Sequence, residues 1–435
     1  MGNNYLLKGL VKIPSSLVMI MAIMSWLFVP ASVQSKPVKL RIASHKVHKI
    51  VSTQGEGGDI TQAWQDKTGI GVEWLTFSTN PLHERIFRET SLSETTLDVV
   101  FLVNTRAVPN VANLLEPLDQ WNNRDPIEDF DDIFPGMVAA MKFNGTLYGI
   151  PFRHSTSGLH VNETFLEEQG LSGPPKTIEE FINYAKKLTY TRKNGQKVVG
   201  YVGVMSYPNV VDIARAWDGD FIDLDYKCRA NEAAMVRSIQ IHRELYEYGA
   251  FPKAFTSFKG EDMNVWTQTG RAAMVIGGMG RNRIYNDPNK SQFPGKIKTV
   301  NIPITEKLLN KYAVAPAKVE FWTMAIPRKS TNKQYAWSLI KHMVSKDATL
   351  NAALNGNGPV RNSTYQVQSF VSKKTYAKAE GDLLKVARIP LPAFDQSAKA
   401  ADIFKEEAEA AVLGFKTPQE AMDNVCRRVN PLLPK

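Results

Sequence analysis

Residues 144–180 constrain the fold more than any other stretch, because a turn, a strand, a second strand and two helix starts follow one another there. Asn144-Gly145 is a tight-turn dipeptide. The apolar residues 147–152 predict a short buried strand that ends near Pro151, since proline cannot donate to a central ladder. Residues 157–161 alternate apolar and polar side chains again, which predicts a second strand after a crossover.

The motifs of this stretch occur in the order G-x-x-Y-G-I-P, V-N-x-x-F-L-x-x-x-G-L and P-P-x-T-x-E-E. Further along stand W-T-Q-T-G-R-A-A-M-V-I-G-G at residues 266–278 and N-G-N-G-P-V-R-N-S at residues 355–363. Together they resemble family 1 of the bacterial extracellular solute-binding proteins, the maltose-binding-protein-like sugar receptors of ABC importers. The resemblance implies that residues 148–155 form the first hinge strand and that residues 355–363 form the second hinge crossing.

The first third of the chain reads as a doubly wound α/β unit. Strands are predicted at residues 38–43, 71–77 and 97–103, with a helix at residues 59–68. The run L-D-V-V-F-L-V is apolar on both faces, which is typical of a parallel strand. With the resemblance, the fold class is α/β: a two-lobed periplasmic binding protein fold of the class II type, each lobe a mostly parallel sheet flanked by helices. The predicted lobes are residues 36–148 plus 319–361 and residues 149–318 plus 362–435.

The first 35 residues have the pattern of a secretory signal peptide. Lys8 and Lys12 precede an uncharged apolar run at residues 17–29, and Val33 and Ser35 stand where a cleavage site needs small residues. An uncleaved N-terminal anchor is the alternative, but the apolar run is short for a membrane span. We therefore expect a periplasmic protein. The formal net charge is +10, but the basic residues are interspersed with acidic ones, so a nucleic-acid site is not indicated.

The two cysteines leave two interpretations open. Cys228 and Cys426 are an even pair in an oxidising compartment, so a disulfide is permitted, but sequence does not give their separation in space. A metal site is less favoured, because convincing histidine partners are missing. His45 and His48 form an H-x-x-H in a strand-to-loop region without a nearby acid, which suits a ligand contact better than a metal. No cofactor is predicted.

Ligand contacts are expected at the carboxyl ends of strands, where ligands of open α/β sheets bind. Asn104 and Arg106 directly follow a buried strand, and the resemblance places sugar-binding polar residues there. A guanidinium can bridge two hydroxyls or bind a carboxylate or phosphate, although Arg106 could instead be a surface residue paired with Glu116. The predicted substrate-binding residues are His45, Asn104, Arg106, Arg153, His154, Tyr207, Trp217, Gly278, Met279, Trp322 and Arg361.

The expected ligand differs from maltodextrin. The acidic group of the maltose-binding protein falls at Ser155, and a stacking tryptophan is replaced by Gly278-Met279-Gly280. Tyr207, Trp217 and Trp322 remain available as aromatic platforms for the C–H face of a sugar, although core packing is the commoner role of tryptophan.

These observations predict a periplasmic solute receptor for an ABC importer that captures a carbohydrate or sugar derivative in the cleft between lobes. We expect a monomer that delivers the solute to a membrane permease. An anionic or phosphorylated polyol is the alternative ligand, and a chemosensor is an alternative recipient. A secreted carbohydrate-active hydrolase is the alternative of a different class. Enzymatic activity is not expected, because no G-x-S-x-G, H-E-x-x-H, Walker or G-x-G-x-x-G motif is present.

Overall fold

The computed structural model describes residues 39–434, and the predicted signal peptide lies outside this range. The strands are β1 Lys39–His45, β2 Gly71–Phe77, β3 Val99–Val103, β4 Lys142–Phe143, β5 Thr146–Leu147, β6 Ile150–Asn162, β7 Tyr190–Thr191, β8 Lys197–Val202, β9 Ala272–Gly278, β10 Ile297–Val300 and β11 Val319–Ala325.

Helices flank these strands along the described chain. The α-helices are α1 Lys46–Thr53, α2 Gln62–Thr68, α3 Thr79–Ser91, α4 Pro109–Ala112, α5 Asp119–Arg124, α6 Pro135–Ala139, α7 Glu163–Glu168, α8 Ile178–Lys187, α9 Tyr207–Ala214, α10 Ala233–Tyr248, α11 Gly260–Gln268, α12 Asn282–Tyr285, α13 Lys333–Met343, α14 Lys346–Leu354, α15 Gln368–Val371, α16 Ala377–Leu384, α17 Ser397–Val412 and α18 Pro418–Val429. Within residues 39–434, no helix has the length and apolar character needed to cross a membrane.

Nine strands form one continuous mixed sheet in the order β2-β1-β3-β11-β6-β9-β8-β7, with β10 also paired to β6. The pairs β1–β2, β1–β3 and β8–β9 are parallel, whereas both neighbours of β11 are antiparallel to it. All five residues of β3 are buried, as a strand covered on both faces requires. The predicted α/β two-lobed fold is confirmed.

Strand β6 is a single 13-residue element that joins the two halves of the sheet. Its first half pairs with β11, and its second half pairs with β9 and β10. The prediction that a strand ends near Pro151 is wrong. Pro151 lies opposite Thr323 where the register with β11 shifts, and a local irregularity of this kind tolerates a residue without an N–H.

Two large hydrophobic clusters lie on either side of this crossing. One contains buried residues of β1, β3, β11, α13 and the first residues of β6. The other contains buried residues of the second half of β6, β8, β9, α10, α17 and α18. Each cluster draws on two separate stretches of chain, so β6, β11 and residues 357–361 are the connections between them.

Local signals set the helix starts as the sequence suggests. The Asn162 side chain accepts the Thr164 N–H at the start of α7 (3.0 Å), and Thr177 accepts the Glu180 N–H at the start of α8 (3.1 Å). Thr417 and Glu420 form a complete capping box on α18. Cys228 and Cys426 form a disulfide with Cα atoms 5.5 Å apart, which resolves the two interpretations left open by the sequence.

Candidate functional site

The middle of β6 and the facing part of β11 form a polar surface at the crossing between the two halves of the sheet. Side chains two residues apart on a strand share a face, and so do directly opposed residues of paired strands. Arg153 lies opposite Trp322, and Ser155 lies opposite Glu320. Ser155 is exposed and the other three are half-buried, so solvent reaches this surface. We call these four residues the crossover face.

Three histidines surround Trp322 at one end of the crossover face. The ring centres of His45, His48 and His83 lie 6.0, 4.7 and 5.6 Å from the Trp322 ring. His83 Nε2 accepts the N–H of Val103 (3.3 Å), so its Nδ1 carries the proton and donates to the carbonyl of Thr79 (2.7 Å). The half-buried Trp322 is therefore held in position by these three histidines.

His45 connects strand β1 to this surface. It is half-buried, and its Nδ1 caps α1 by accepting the Val47 N–H (3.2 Å). Burial, followed by the charges of Lys46 and Arg153, lowers the pKa of His45. The neighbouring His48 is fully buried and stacks on Phe101. Within residues 39–434, no group of three or more His, Cys, Asp or Glu side chains is placed to hold a metal ion.

Arg153 carries the charge of the crossover face. Its Nη1 donates to Oδ1 of Asn357 (3.2 Å), and it has no ion pair with a carboxylate among the described residues. Burial lowers the pKa of Arg153, while Glu380 and Tyr376 oppose that effect. The charge is thus partly removed from water without a directly bound anion.

The second half of the sheet contributes backbone and aromatic groups. A Cβ atom on Gly278 would lie 3.2 Å from Oγ of Ser155, so the absence of a side chain leaves room over the crossover face. Tyr207 opens α9 after the carboxyl end of β8. Burial, with a smaller effect of Glu320, raises the pKa of Tyr207 to about 12, so its hydroxyl stays protonated at neutral pH.

Asn104 and Arg106 lie at the carboxyl end of β3, in a short 3₁₀ turn. Asn104 is buried, and its Oδ1 accepts the N–H of Phe321 (3.1 Å), which ties the turn to β11. Arg106 is exposed and makes no hydrogen bond or ion pair with Glu116, whose carboxylate instead binds Lys333 (2.8 Å). The alternative of a surface Arg106–Glu116 pair is therefore not observed.

Four predicted contacts lie away from this surface. His154 points to the opposite face of β6, where its Nε2 meets the Tyr365 hydroxyl (2.8 Å), and burial lowers its pKa to about 4. Arg361 is fully buried and donates to the carbonyls of residues 128, 129 and 344. Met279 is buried in a core cluster, and Trp217 packs against the same cluster. Ligand contact by these four residues has no support in their surroundings.

Sequence reasoning missed Glu320, the acid of the crossover face. Glu320 is half-buried beside Ser155, and its carboxylate makes no hydrogen bond or ion pair within the described chain. The parity of residues 318–322 would have placed Glu320 beside Trp322 once β11 was assigned.

A separate cavity of about 520 Å³ lies between the two halves of the molecule and includes only Asn104 among the predicted contacts. Lys142 and Phe143 line it from one side and Asp220 and Arg388 from the other. Arg388 pairs there with Asp220 (3.2 Å), so its charge is already neutralised. The crossover face, with its free polar groups, is the better candidate for the functional site.

Comparison with known proteins identifies relatives of the whole fold. Residues 59–379 match the family model described as bacterial extracellular solute-binding protein. A probable ABC transporter-binding protein of Deinococcus radiodurans is 24% identical over 326 residues, covering 72% of this chain and 73% of that protein. The sn-glycerol-3-phosphate-binding periplasmic protein of Pectobacterium atrosepticum is 24% identical over 310 residues, 67% of each chain.

Solved structures share the fold at low identity. The sugar-binding protein MalE of Xanthomonas citri matches with a TM-score of 0.76 and 21% identity, covering 91% of this chain and 97% of that chain. An ABC transporter solute-binding protein of Agrobacterium radiobacter K84 in complex with ribitol matches with a TM-score of 0.69 and 22% identity, covering 91% and 100%.

The family match covers most of the chain and includes the crossing strand β6. It is a match to binding proteins, so the prediction that the chain is not an enzyme is confirmed. The chain belongs to the bacterial extracellular solute-binding protein family.

Proposed function

We propose that this protein is the periplasmic receptor of an ABC importer and that it binds a carbohydrate or sugar derivative between its two lobes. The observation that carries the proposal is the crossover face on β6 and β11, where a half-buried tryptophan stands beside polar side chains that form no ion pair within the described chain. Sugars suit such a surface, because their C–H faces stack on aromatic rings while their hydroxyls need hydrogen-bond partners.

The proposed contacts come from both halves of the sheet. His45, Arg153 and Trp322 are close to one another, and Arg106 follows the neighbouring β3. Two residues of the other half lie near the crossover face: Tyr207 is close to Glu320, and Gly278 is close to Ser155. We therefore assign the ligand to the space above the crossover face, with Glu320 accepting hydrogen bonds from ligand hydroxyls.

We further propose that binding closes the protein about its hinge. The proposed lobes are residues 36–148 plus 319–361 and residues 149–318 plus 362–435, and the connections between them are few. A ligand shifts an open–closed equilibrium only by binding the closed state more tightly, which contacts from both lobes would provide. The closed form would then dock as a monomer on the permease of the importer.

The names of relatives support this choice of ligand and location. Structural neighbours include proteins bound to ribitol, maltose and tagatose, and a curated relative is named a periplasmic protein that binds sn-glycerol-3-phosphate. Each of these ligands carries several hydroxyl groups or derives from such a molecule. A cleaved signal peptide at residues 1–35 would deliver this chain to the same compartment.

Isothermal titration calorimetry of the mature protein tests the proposal. The protein is first unfolded and refolded to remove any copurified solute, and is then titrated with sugars, polyols, their acidic derivatives, amino acids and short peptides. Binding of a polyhydroxylated compound, with a smaller radius of gyration in solution scattering, is the expected result. Binding confined to amino acids or peptides would overturn the carbohydrate assignment.

A further inference from the structure

Arg153 differs from the fully buried arginines of this protein in how its donors are satisfied. Arg361 pairs with Asp132 and donates to three carbonyl oxygens, and Arg215 pairs with Asp220 and donates to two. Arg153 has one partner, the amide oxygen of Asn357. A guanidinium has five N–H donors, so most of those on Arg153 are free.

The free donors of Arg153 reach the site. Its Nε and Nη2 make no hydrogen bond with the described chain, yet neither is among the buried polar atoms that lack a partner. The half-buried side chain therefore keeps donors that no described residue uses. The side chain lies on the same face of β6 as the exposed Ser155, so the accessible side of the guanidinium is that of the crossover face.

We propose that the solute carries a carboxylate or phosphate group and that Arg153 binds this group on the crossover face. The inference rests on the proposed function and specifies the substrate class. A planar guanidinium binds either anion through two parallel hydrogen bonds, which a neutral hydroxyl cannot match in charge. The burial that lowers the pKa of Arg153 also makes a bound anion worth more than it would be in water.

The exposed charges around the crossover face favour an anion as well, and the buried Glu380, which acts on Arg153, is already paired with Lys374 (3.1 Å). Arg106 and Arg283 are exposed and make no ion pair within residues 39–434, and Lys46 is exposed beside His45. Glu320 is the acid on the crossover face, and it is opposite Ser155 rather than bound to Arg153. The ligand that fits has an acidic group for Arg153 and hydroxyls for Glu320: a sugar acid or a phosphorylated sugar or polyol.

Matched pairs of ligands test the inference. The refolded mature protein is titrated with glucose, gluconate and glucose 6-phosphate, and with glycerol and glycerol 3-phosphate, alongside wider sets of neutral and acidic sugars. We expect binding among the anionic members only. A carboxylate-only or phosphate-only response distinguishes the two sources of charge, and either supports the inference.

Variants of Arg153 show whether this residue binds the anion. Arg153→Met should weaken binding of the anionic ligand roughly 10- to 150-fold, the range for a lost charged hydrogen-bond group. Arg153→Lys should lose less affinity, because lysine keeps the positive charge but lacks the paired donors of the planar guanidinium. Arg427→Met, on an exposed site of α18, is the control that changes net charge equally. The unfolding temperature of ligand-free Arg153→Met should fall only slightly, because the hydrogen bond to Asn357 is lost but no ion pair is broken.

Two outcomes would overturn the inference in distinguishable ways. In the first outcome, a neutral sugar binds as tightly as its acid and binds Arg153→Met with the same affinity. This result would refute the anionic ligand but leave the receptor function standing. Pairing of Arg153 with Glu320 in the closed form would then explain why the arginine does not bind the solute. Silence of the whole set would refute the proposed function together with the inference.

Discussion

At the scale of single residues, Arg106 and Arg153 are both proposed contacts but stand in opposite surroundings. Arg153 is half-buried, whereas Arg106 is exposed at the end of β3 and has no protein partner among the described residues. An exposed arginine without contacts contributes little to folding. Arg106 is therefore the residue at which binding can be changed with the least effect on stability.

Replacing Arg106 tests its assignment directly. Arg106→Ala should weaken solute binding by about 1–3 kcal/mol, the usual cost of a lost hydrogen bond to a charged group. The free energy of unfolding should stay within about 0.5 kcal/mol of wild type, measured by urea denaturation. Calorimetric titration of Arg106→Ala beside the exposed Arg427→Ala separates a local contact from a general charge effect. Unchanged affinity in a folded Arg106→Ala would remove this residue from the site.

Buried histidines make stability depend on pH. Burial lowers the pKa of His154 to about 4, of His160 to about 3 and of His242 to about 4, whereas unfolded histidine has a pKa near 6.5. Between about pH 6.5 and 4 the unfolded chain therefore binds more protons than the folded one. The contribution of these histidines to the free energy of unfolding is greatest above pH 6.5. It falls as the pH drops, by at most about 1.4 kcal/mol per pH unit for each histidine.

Urea denaturation at pH 7 and pH 5 measures this slope, since carboxylates ordinarily titrate at lower pH. His242→Gln keeps a donor for the carbonyl of Ser238, which His242 Nδ1 contacts at 2.8 Å, and removes one titrating group. Its stability should vary less with pH than that of wild type. An identical slope in the two proteins would show that His242 does not titrate in this range.

At the scale of elements, the hinge depends on a close approach of two backbones. The His154 N–H donates to the carbonyl of Gly358 (3.2 Å), and a Cβ on Gly358 would lie 2.2 Å from the carbonyl oxygen of His154. No side chain fits there unless residues 357–360 move away from β6. Gly358 thus sets the distance between two connections of the lobes.

Gly358→Ala should lower the free energy of unfolding by about 1–3 kcal/mol, the cost of overpacking a well-packed site. Gly277→Ala is the matched control, because its added methyl group would meet nothing nearer than 3.8 Å. Thermal and urea denaturation of both variants give the comparison. Equal stabilities would mean that the segment at residues 357–360 shifts without cost.

The sequence predicts where strands and helices form better than it predicts which side chains share one face of a strand. The apolar run of β3 is a local signal, so this strand was predicted correctly. Which side of β6 belongs to the proposed ligand site depends on pairing with β11, more than 150 residues later in the chain, and no local pattern encodes it. His154 was therefore grouped with Arg153 although its side chain points the other way, and Glu320 was missed although it lies opposite Ser155.

At the scale of the whole molecule, each hydrophobic cluster is assembled from chain segments that are far apart in sequence. The cluster that includes the second half of β6 contains residues of α10 and of the last two helices, α17 and α18. Between α10 and these helices the chain passes through β11, which belongs to the other cluster. The disulfide between Cys228 and Cys426 joins these two segments across 198 residues. The loop that the disulfide closes therefore includes β11 and α13, which belong to the hydrophobic cluster of the other half.

Removing this cross-link should destabilise one half of the molecule selectively. A Cys228→Ser, Cys426→Ser double variant should lose about 2–5 kcal/mol of unfolding free energy, because its unfolded chain is no longer restricted by a long closed loop. Hydrogen exchange should become faster in α10, α17 and α18, whereas β1 and β3 keep wild-type protection, since they belong to the other cluster. Wild-type protein with its disulfide reduced is the control and should match the variant. Uniform loss of protection through both clusters would contradict this expectation and would mean that the two lobes unfold as one cooperative unit.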